Sequence, residues 1–243
     1  MRLLVSDLQK IRRRRGLFWG SGIVCTLTAL VGLAIRVLEY RNDPSSVHNV
    51  WGFFSNMSLV VLICTVIAGS ILGSWDQSRG TQRYLLMAGA TRNKLLVAHA
   101  MAVLVYSLVL SLWVLFILGI VAISFPGSGG FEVSDSLRGI SISIISSGVF
   151  GLLAFSIGTF FAEVGIAVAA SIVMIFAAGL IQALLVFLST QLSWLQGAEH
   201  GMITDAMDNL QRNARTTSSA VVVVVWLVVC LGLAWLRVSR RDY

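Results

Sequence analysis

The side chains best equipped for charged contacts gather in one stretch, Trp75–Lys94 (WDQSRGTQRYLLMAGATRNK). Arg79, Arg83, Arg92 and Lys94 stand there against a single acid, Asp76, between two apolar runs at 52–74 and 95–121. The pattern reads as a helix–turn–helix. Gly80-Thr81 makes a start, Tyr84 to Met87 supply an apolar core, Gly89 stops the first helix and Thr91 caps the next. The chemistry on offer is non-covalent: caps, turns and cations placed to hold a soluble partner. The plainer reading is a positively charged loop that only fixes topology.

Bond-breaking chemistry finds little support. A phosphate-cradling loop needs Lys followed by Ser or Thr after a glycine-rich turn, but Lys10 precedes Ile11 and Lys94 precedes Leu95. The chain therefore lacks that ATP site and is not expected to be an enzyme. Cys25, Cys64 and Cys230 fall inside apolar runs with no CxxC spacing, and read as small apolar residues. His48, His99 and His200 have no second ligand at metal spacing, so no metal site is expected. Intramembrane proteolysis would require HExxH, paired Asp or Ser with His; Ser143, Ser146 and Ser147 read instead as helix-packing residues.

The elements that position the charged stretch follow from composition. Of 243 residues, 57% are hydrophobic and 12% charged, with a mean hydropathy of +0.86. Soluble domains carry about 25% charged residues, so the chain is built for lipid. Six runs, at 17–38, 52–74, 95–121, 137–160, 164–189 and 218–237, are long enough to cross a hydrocarbon core of about 30 Å. The expected fold is an all-α membrane protein, a single transmembrane domain over 1–243 with the 75–94 hairpin after its second span. The net charge of +7 sits beside apolar runs, so it addresses the anionic face of a bilayer and not nucleic acid. Most Lys and Arg lie in the N-terminus through Arg15, the 75–94 loop and the tail from Arg237. These segments are expected on the cytoplasmic side of a plasma or inner membrane, with both termini.

Several peripheral features carry expectations of their own. Residues 1–15 put Leu4, Leu8 and Ile11 on one face, as in an interfacial helix. Gly16–Gly20 and Gly69–Gly73 have the small-xxx-small spacing that lets helices approach closely. Arg36 is placed to snorkel from the end of the first span. The loop 124–137 is too short for a separate domain. Glu163 is read as an acid at a helix N-terminus. Met202, Ile203, Ala206, Met207 and Leu210 share one face of an amphipathic or re-entrant segment before the sixth span, expected on or dipping into the outer leaflet.

In this order the features resemble the ABC-2 family of ATP-binding-cassette transporter permeases, across essentially the whole chain. Members commonly show, in the coupling hairpin, an acid four residues before Gly-Thr, a Leu pair, a small-residue–Arg turn and a Lys. Here Asp76 stands where Glu is usual, followed by Gly80-Thr81, Leu85-Leu86 and Ala90-Thr91-Arg92, while His99 falls about where the Lys is expected. The resemblance implies a homodimer or heterodimer of permeases in the lipid bilayer, each seating a cytoplasmic ABC ATPase subunit under 75–94. No cofactor is implied in this chain; ATP and Mg would belong to the partner subunit. It implies ATPase coupling through Asp76, Gly80, Thr81, Arg83, Gly89 and Arg92. It also implies a substrate path along the second and fifth spans, where Phe53, Asn56, Thr65, Ser171, Met174 and Gln182 lie. A mostly apolar path with a few hydrogen-bonding groups suits export of an amphipathic drug, antimicrobial peptide or lipid-like substrate. The competing readings are an ion-driven secondary transporter, which calls for paired intramembrane acids or broken helices, and an FtsX-like or immunity membrane protein that binds a peptide without transport.

Overall fold

A computed structural model describes residues 15–42, 50–81, 91–124, 133–161, 163–191, 198–211 and 216–240, with Gln9 and Met87. Residues 1–15, apart from Gln9 and the backbone of Arg15, and the tail beyond Arg240 lie outside them. So do the side chains of Arg36, Phe53 and Asn56, and Arg83 and Gly89 entirely.

Apolar side chains in lipid give a helix its surface, and the backbone must satisfy its own N–H and C=O groups, which only a helix does within one segment. The long apolar runs accordingly form α1 (Arg15–Asn42), α2 (Val50–Ser78), α3 (Arg92–Ser124), α4 (Val133–Gly158), α5 (Val164–Gln191) and α7 (Thr216–Arg240); the short α6 (Ile203–Gln211) precedes α7. Six of these are long and apolar enough to cross a membrane, as in a multi-pass membrane protein, and no strand occurs among the described residues. Each of the six runs two to four residues past the expected limits at one or both ends, save that α4 stops at Gly158. There Phe160 N–H turns back onto the Ile157 carbonyl at 2.9 Å.

The spine of the bundle is the seam between α2 and α4. Glycines make it possible. A Cβ on Gly69 would land on the Gly151 carbonyl oxygen, and one on Gly73 on the Phe155 carbonyl oxygen. From the other side, a Cβ on Gly158 would sit 2.6 Å from Ser70 O, and one on Gly151 2.6 Å from Thr65 Cγ2. The small-xxx-small spacing at 69–73 is thus used for backbone-to-backbone approach, whereas Gly16 and Gly20 have nothing near a Cβ among the described residues. Hydroxyls along the seam are turned into their own helices. Thr65 donates to Val61 O, Ser70 to Val66 O, Ser74 to Ser70 O and Ser156 to Leu152 O, at 2.7–3.0 Å. Satisfied in this way, they pack as small apolar residues.

Two apolar clusters flank the seam. One joins α1, α2 and α3 through Cys25, Val61, Val103 and Tyr106; the other joins α2, α4, α6 and α7 through Val66, Phe150, Ile203 and Val223. Tyr106 Oη donates to Ser21 Oγ at 2.6 Å and Trp113 Nε1 to Thr26 Oγ1 at 3.1 Å, tying α1 to α3. Ser107 and Ser147 share a 2.8 Å bond between α3 and α4. Ser143, Ser146 and Ser147 are buried on packing faces, in line with their expected role. The chain alone covers the helices unequally. In the apolar windows of α4 and α2, 67% and 50% of the residues are buried, against 11% in α5 and 17% in α7.

The segment before the sixth span, expected to be amphipathic or re-entrant, has the apolar face of α6 covered by protein. Ile203, Ala206 and Met207 are buried at 4%, 1% and 4% exposure against α4 and α7.

Candidate functional site

The hairpin leaves the bundle through a joint whose parts come from four helices. α2 does not stop at 74; it continues to Ser78, so Trp75–Ser78 belong to the span and carry Asp76 and Gln77 on their last turn. Gly80 then takes φ 67°, a left-handed conformation that favours glycine, and Thr81 resumes helical geometry. Gly80-Thr81 is therefore first a stop for α2. Thr91 immediately precedes α3, and its carbonyl accepts Leu95 N–H at 3.1 Å, the position expected of a cap. Met87 is helical and 76% exposed.

Asp76 is the centre of the joint. It is 7% exposed, and an isolated carboxylate so placed would be costly. Its Oδ2 lies 3.1 Å from His99 Nε2 of α3, and its Oδ1 accepts the Thr81 hydroxyl at 3.1 Å. The His99 ring stands 6.3 Å from that of Phe155 on α4. One residue on, Gln77 Nε2 donates to the Thr159 carbonyl at 3.0 Å, at the end of α4. Asp76 and Gln77 thus fasten the root of the hairpin to α3 and α4 together.

Arg92, at the start of α3, reaches the far end of α7. Its Nη1 donates to Ser239 O at 2.6 Å and Val238 O at 3.2 Å, where helix carbonyls lack partners of their own and a cation is favoured. Trp235 Nε1 donates to Asn93 Oδ1 at 2.8 Å beside it. A cleft of about 350 Å³ remains among Asp76, Gln77, Arg92, His99, Phe155 and Thr159. Outside it, the exposed Arg79 guanidinium stacks over Trp75 at 4.1 Å, and Lys94 is exposed. Among the described residues no cluster of His, Cys, Asp and Glu could hold a metal.

Of the residues assigned to coupling, Asp76, Gly80 and Thr81 are brought together. Arg92 is drawn into an internal tie, and Arg83 and Gly89 lie outside the described residues. The residues assigned to a substrate path separate. Thr65 is wholly buried in the α2–α4 seam, whereas Ser171 and Met174 line a notch with Ile203 between α4, α5 and α6. Gln182 is part-buried two turns further along α5. Phe53 and Asn56 lie on α2 with side chains outside the described set. Glu163 directly precedes α5, and its carbonyl accepts Ala167 N–H at 3.0 Å, so it caps that helix. Sequence reasoning missed Gln77 as a fastener and saw His99 only as a departure. An acid on the last turn of one span and a base early in the next, with one hairpin between them, was the available signal.

A family model described as DUF2705, protein of unknown function, matches residues 23–243. No curated protein matches the chain.

Proposed function

We propose that this chain, which belongs to the DUF2705 family, is the permease subunit of an ATP-driven exporter, worked through the 75–94 hairpin by a separate ATPase. The observation that carries this reading is the joint at the hairpin root. A loop that served only to set topology would need charge alone. Here a buried Asp76–His99 pair, the Thr81 hydroxyl and the Gln77–Thr159 bond fix the base of the hairpin to α2, α3 and α4. Arg92 extends the tie to α7. A push on the hairpin would then move packed helices as units, the kind of discrete repacking by which transporters switch. In this reading the hairpin and both termini face the cytoplasm of a plasma or inner membrane. ATP and Mg bind the partner, and two permease chains form the path for an amphipathic substrate.

Because Arg92 is engaged within the chain, the docking cations are Arg79, Arg83 and Lys94. Purification from the native membrane is expected to retain a soluble subunit with vanadate-sensitive ATPase activity. Arg79→Glu with Arg83→Glu is expected to cut the retained subunit at least about tenfold, as like-charge contacts across an interface cost several kcal/mol, with insertion of the permease unchanged. Undiminished retention, or substrate movement driven by an ion gradient in the purified chain alone, overturns the reading.

A further inference from the structure

Two of the three cysteines meet. Small residues at four-residue spacing, Ser21, Cys25 and Ala29 on α1 with Cys64 and Ala68 on α2, are each 9% exposed or less and let these helices run close together. Where they do so, the thiols of Cys25 and Cys64 are hydrogen-bonded to one another. Tyr106 of α3 packs in the same cluster, its own hydroxyl spent on Ser21 Oγ. Cys25 lies midway along the apolar window Gly16–Ile35, roughly 14 Å of helix from either end at about 1.5 Å per residue. Cys230, on α7, belongs to the other cluster.

A buried cysteine can serve simply as a small apolar residue, and that role suits Cys230. It gives no reason for two thiols from different helices to face each other. No charged residue stands within two turns of Cys25 or Cys64 along its own helix, or between Ala102 and Val114 on α3. An ionic product would lack a counter-charge there and be costly. A disulfide carries no charge and suits these surroundings. Water-borne oxidants act on exposed thiolates, which a pair at 1% and 9% exposure does not offer. An oxidant dissolved in the lipid is not so restricted.

We propose that Cys25 and Cys64 form a redox site, closed to a disulfide between α1 and α2 by a membrane quinone. The two S–H bonds break and one S–S bond forms. The two electrons and two protons released pass to the carbonyl oxygens of the quinone, leaving a hydroquinone. The class of oxidant follows from the site. It has to dissolve in lipid, be uncharged, and take up protons together with electrons where no acidic or basic side chain is at hand. The bond fastens α1, covered over only 22% of its apolar window, to α2, the helix clamped in the central seam. The assignment requires neither an ATPase nor a cargo, and so stands apart from the export reading.

The test exposes the purified, reduced full chain in nanodiscs to decylubiquinone under argon and counts free thiols after denaturation. Loss of the Cys25 and Cys64 thiols is expected, with the two peptides linked on mass spectrometry, Cys230 still free, and all three thiols restored by dithiothreitol. Ferricyanide, a charged oxidant confined to water, is expected to leave the pair reduced over the same period. The closed form is expected to unfold at least about 4 °C above the reduced one, as a disulfide restrains the unfolded chain. These measurements use the unaltered chain, so none depends on a variant folding. Three free thiols after quinone treatment, equal oxidation of Cys230, or equal closure by ferricyanide overturns the site. A linked chain with an unchanged midpoint overturns the fastening of α1. In Cys25→Ser, Cys64 is expected to stay reduced; its modification there at the parent rate would show that it reacts singly and would overturn the pair.

Discussion

Gly73→Val is expected to destroy the folded bundle, leaving little or no monodisperse protein after detergent extraction. The added Cβ would fall on the Phe155 carbonyl oxygen, with the Gly158 backbone 3.0 Å away. These are backbone atoms in the last turn of α4; they cannot swing aside as a side-chain tip can. The only relief is to separate α2 from α4 along the seam that holds both core clusters in place. Overpacking a core costs about 1–3 kcal/mol when side chains can adjust, and more when they cannot. Gly179→Val is the matched control. It makes the same change in a span, on α5, where a Cβ meets nothing within 4 Å among the described residues, and is expected to leave yield and thermal midpoint unchanged. Equal yields for the two variants would remove the close seam from the account.

Asp76→Ala is expected to lower the thermal midpoint sharply and to uncouple the hairpin. It removes the carboxylate that His99 and Thr81 share at a position 7% exposed, leaving the Thr81 hydroxyl the Asp76 backbone carbonyl at 3.3 Å. Breaking a buried pair by removing one partner costs about 3–5 kcal/mol, which for a chain of this size corresponds to a fall of roughly 6–20 °C at about 2–4 °C per kcal/mol. The variant Asp76→Asn retains an acceptor for the Thr81 hydroxyl and is expected to lose less than half as much. The pair also makes a functional prediction under the export reading. An ATPase still bound to Asp76→Ala should hydrolyse ATP without responding to substrate, because the joint no longer carries displacement into α3. A midpoint within about 1 °C of the parent, on that same scale, would show that the pair holds nothing together.

The spans were legible because the same physics that inserts a helix into lipid writes long apolar runs into the chain, and Gly69–Gly73 announced where two of them could touch. Gly80 and Thr91 were legible as punctuation. What stayed hidden depends on which faces meet. Thr65 reads as a polar group lining a path, yet its hydroxyl is spent on Val61 O and its methyl packs against Gly151. Arg92 reads as a docking cation, and only the return of α7 to the start of α3 turns it inward. The extension of α2 to Ser78 was obscured by the polarity of Trp75–Ser78, because hydropathy ends where lipid ends and helical hydrogen bonding need not. The burial of Ile203 could not be read at all. An amphipathic stripe has one pattern whether lipid or protein covers it.

The uneven burial of the spans divides the molecule by stiffness. With α2 and α4 clamped backbone to backbone and α5 held over barely a tenth of its apolar window, amide protons of the seam should exchange only on global opening. Those of α5 should be released by excursions that leave the rest intact. Hydrogen-exchange labelling in a lipid disc would read the two as separate populations.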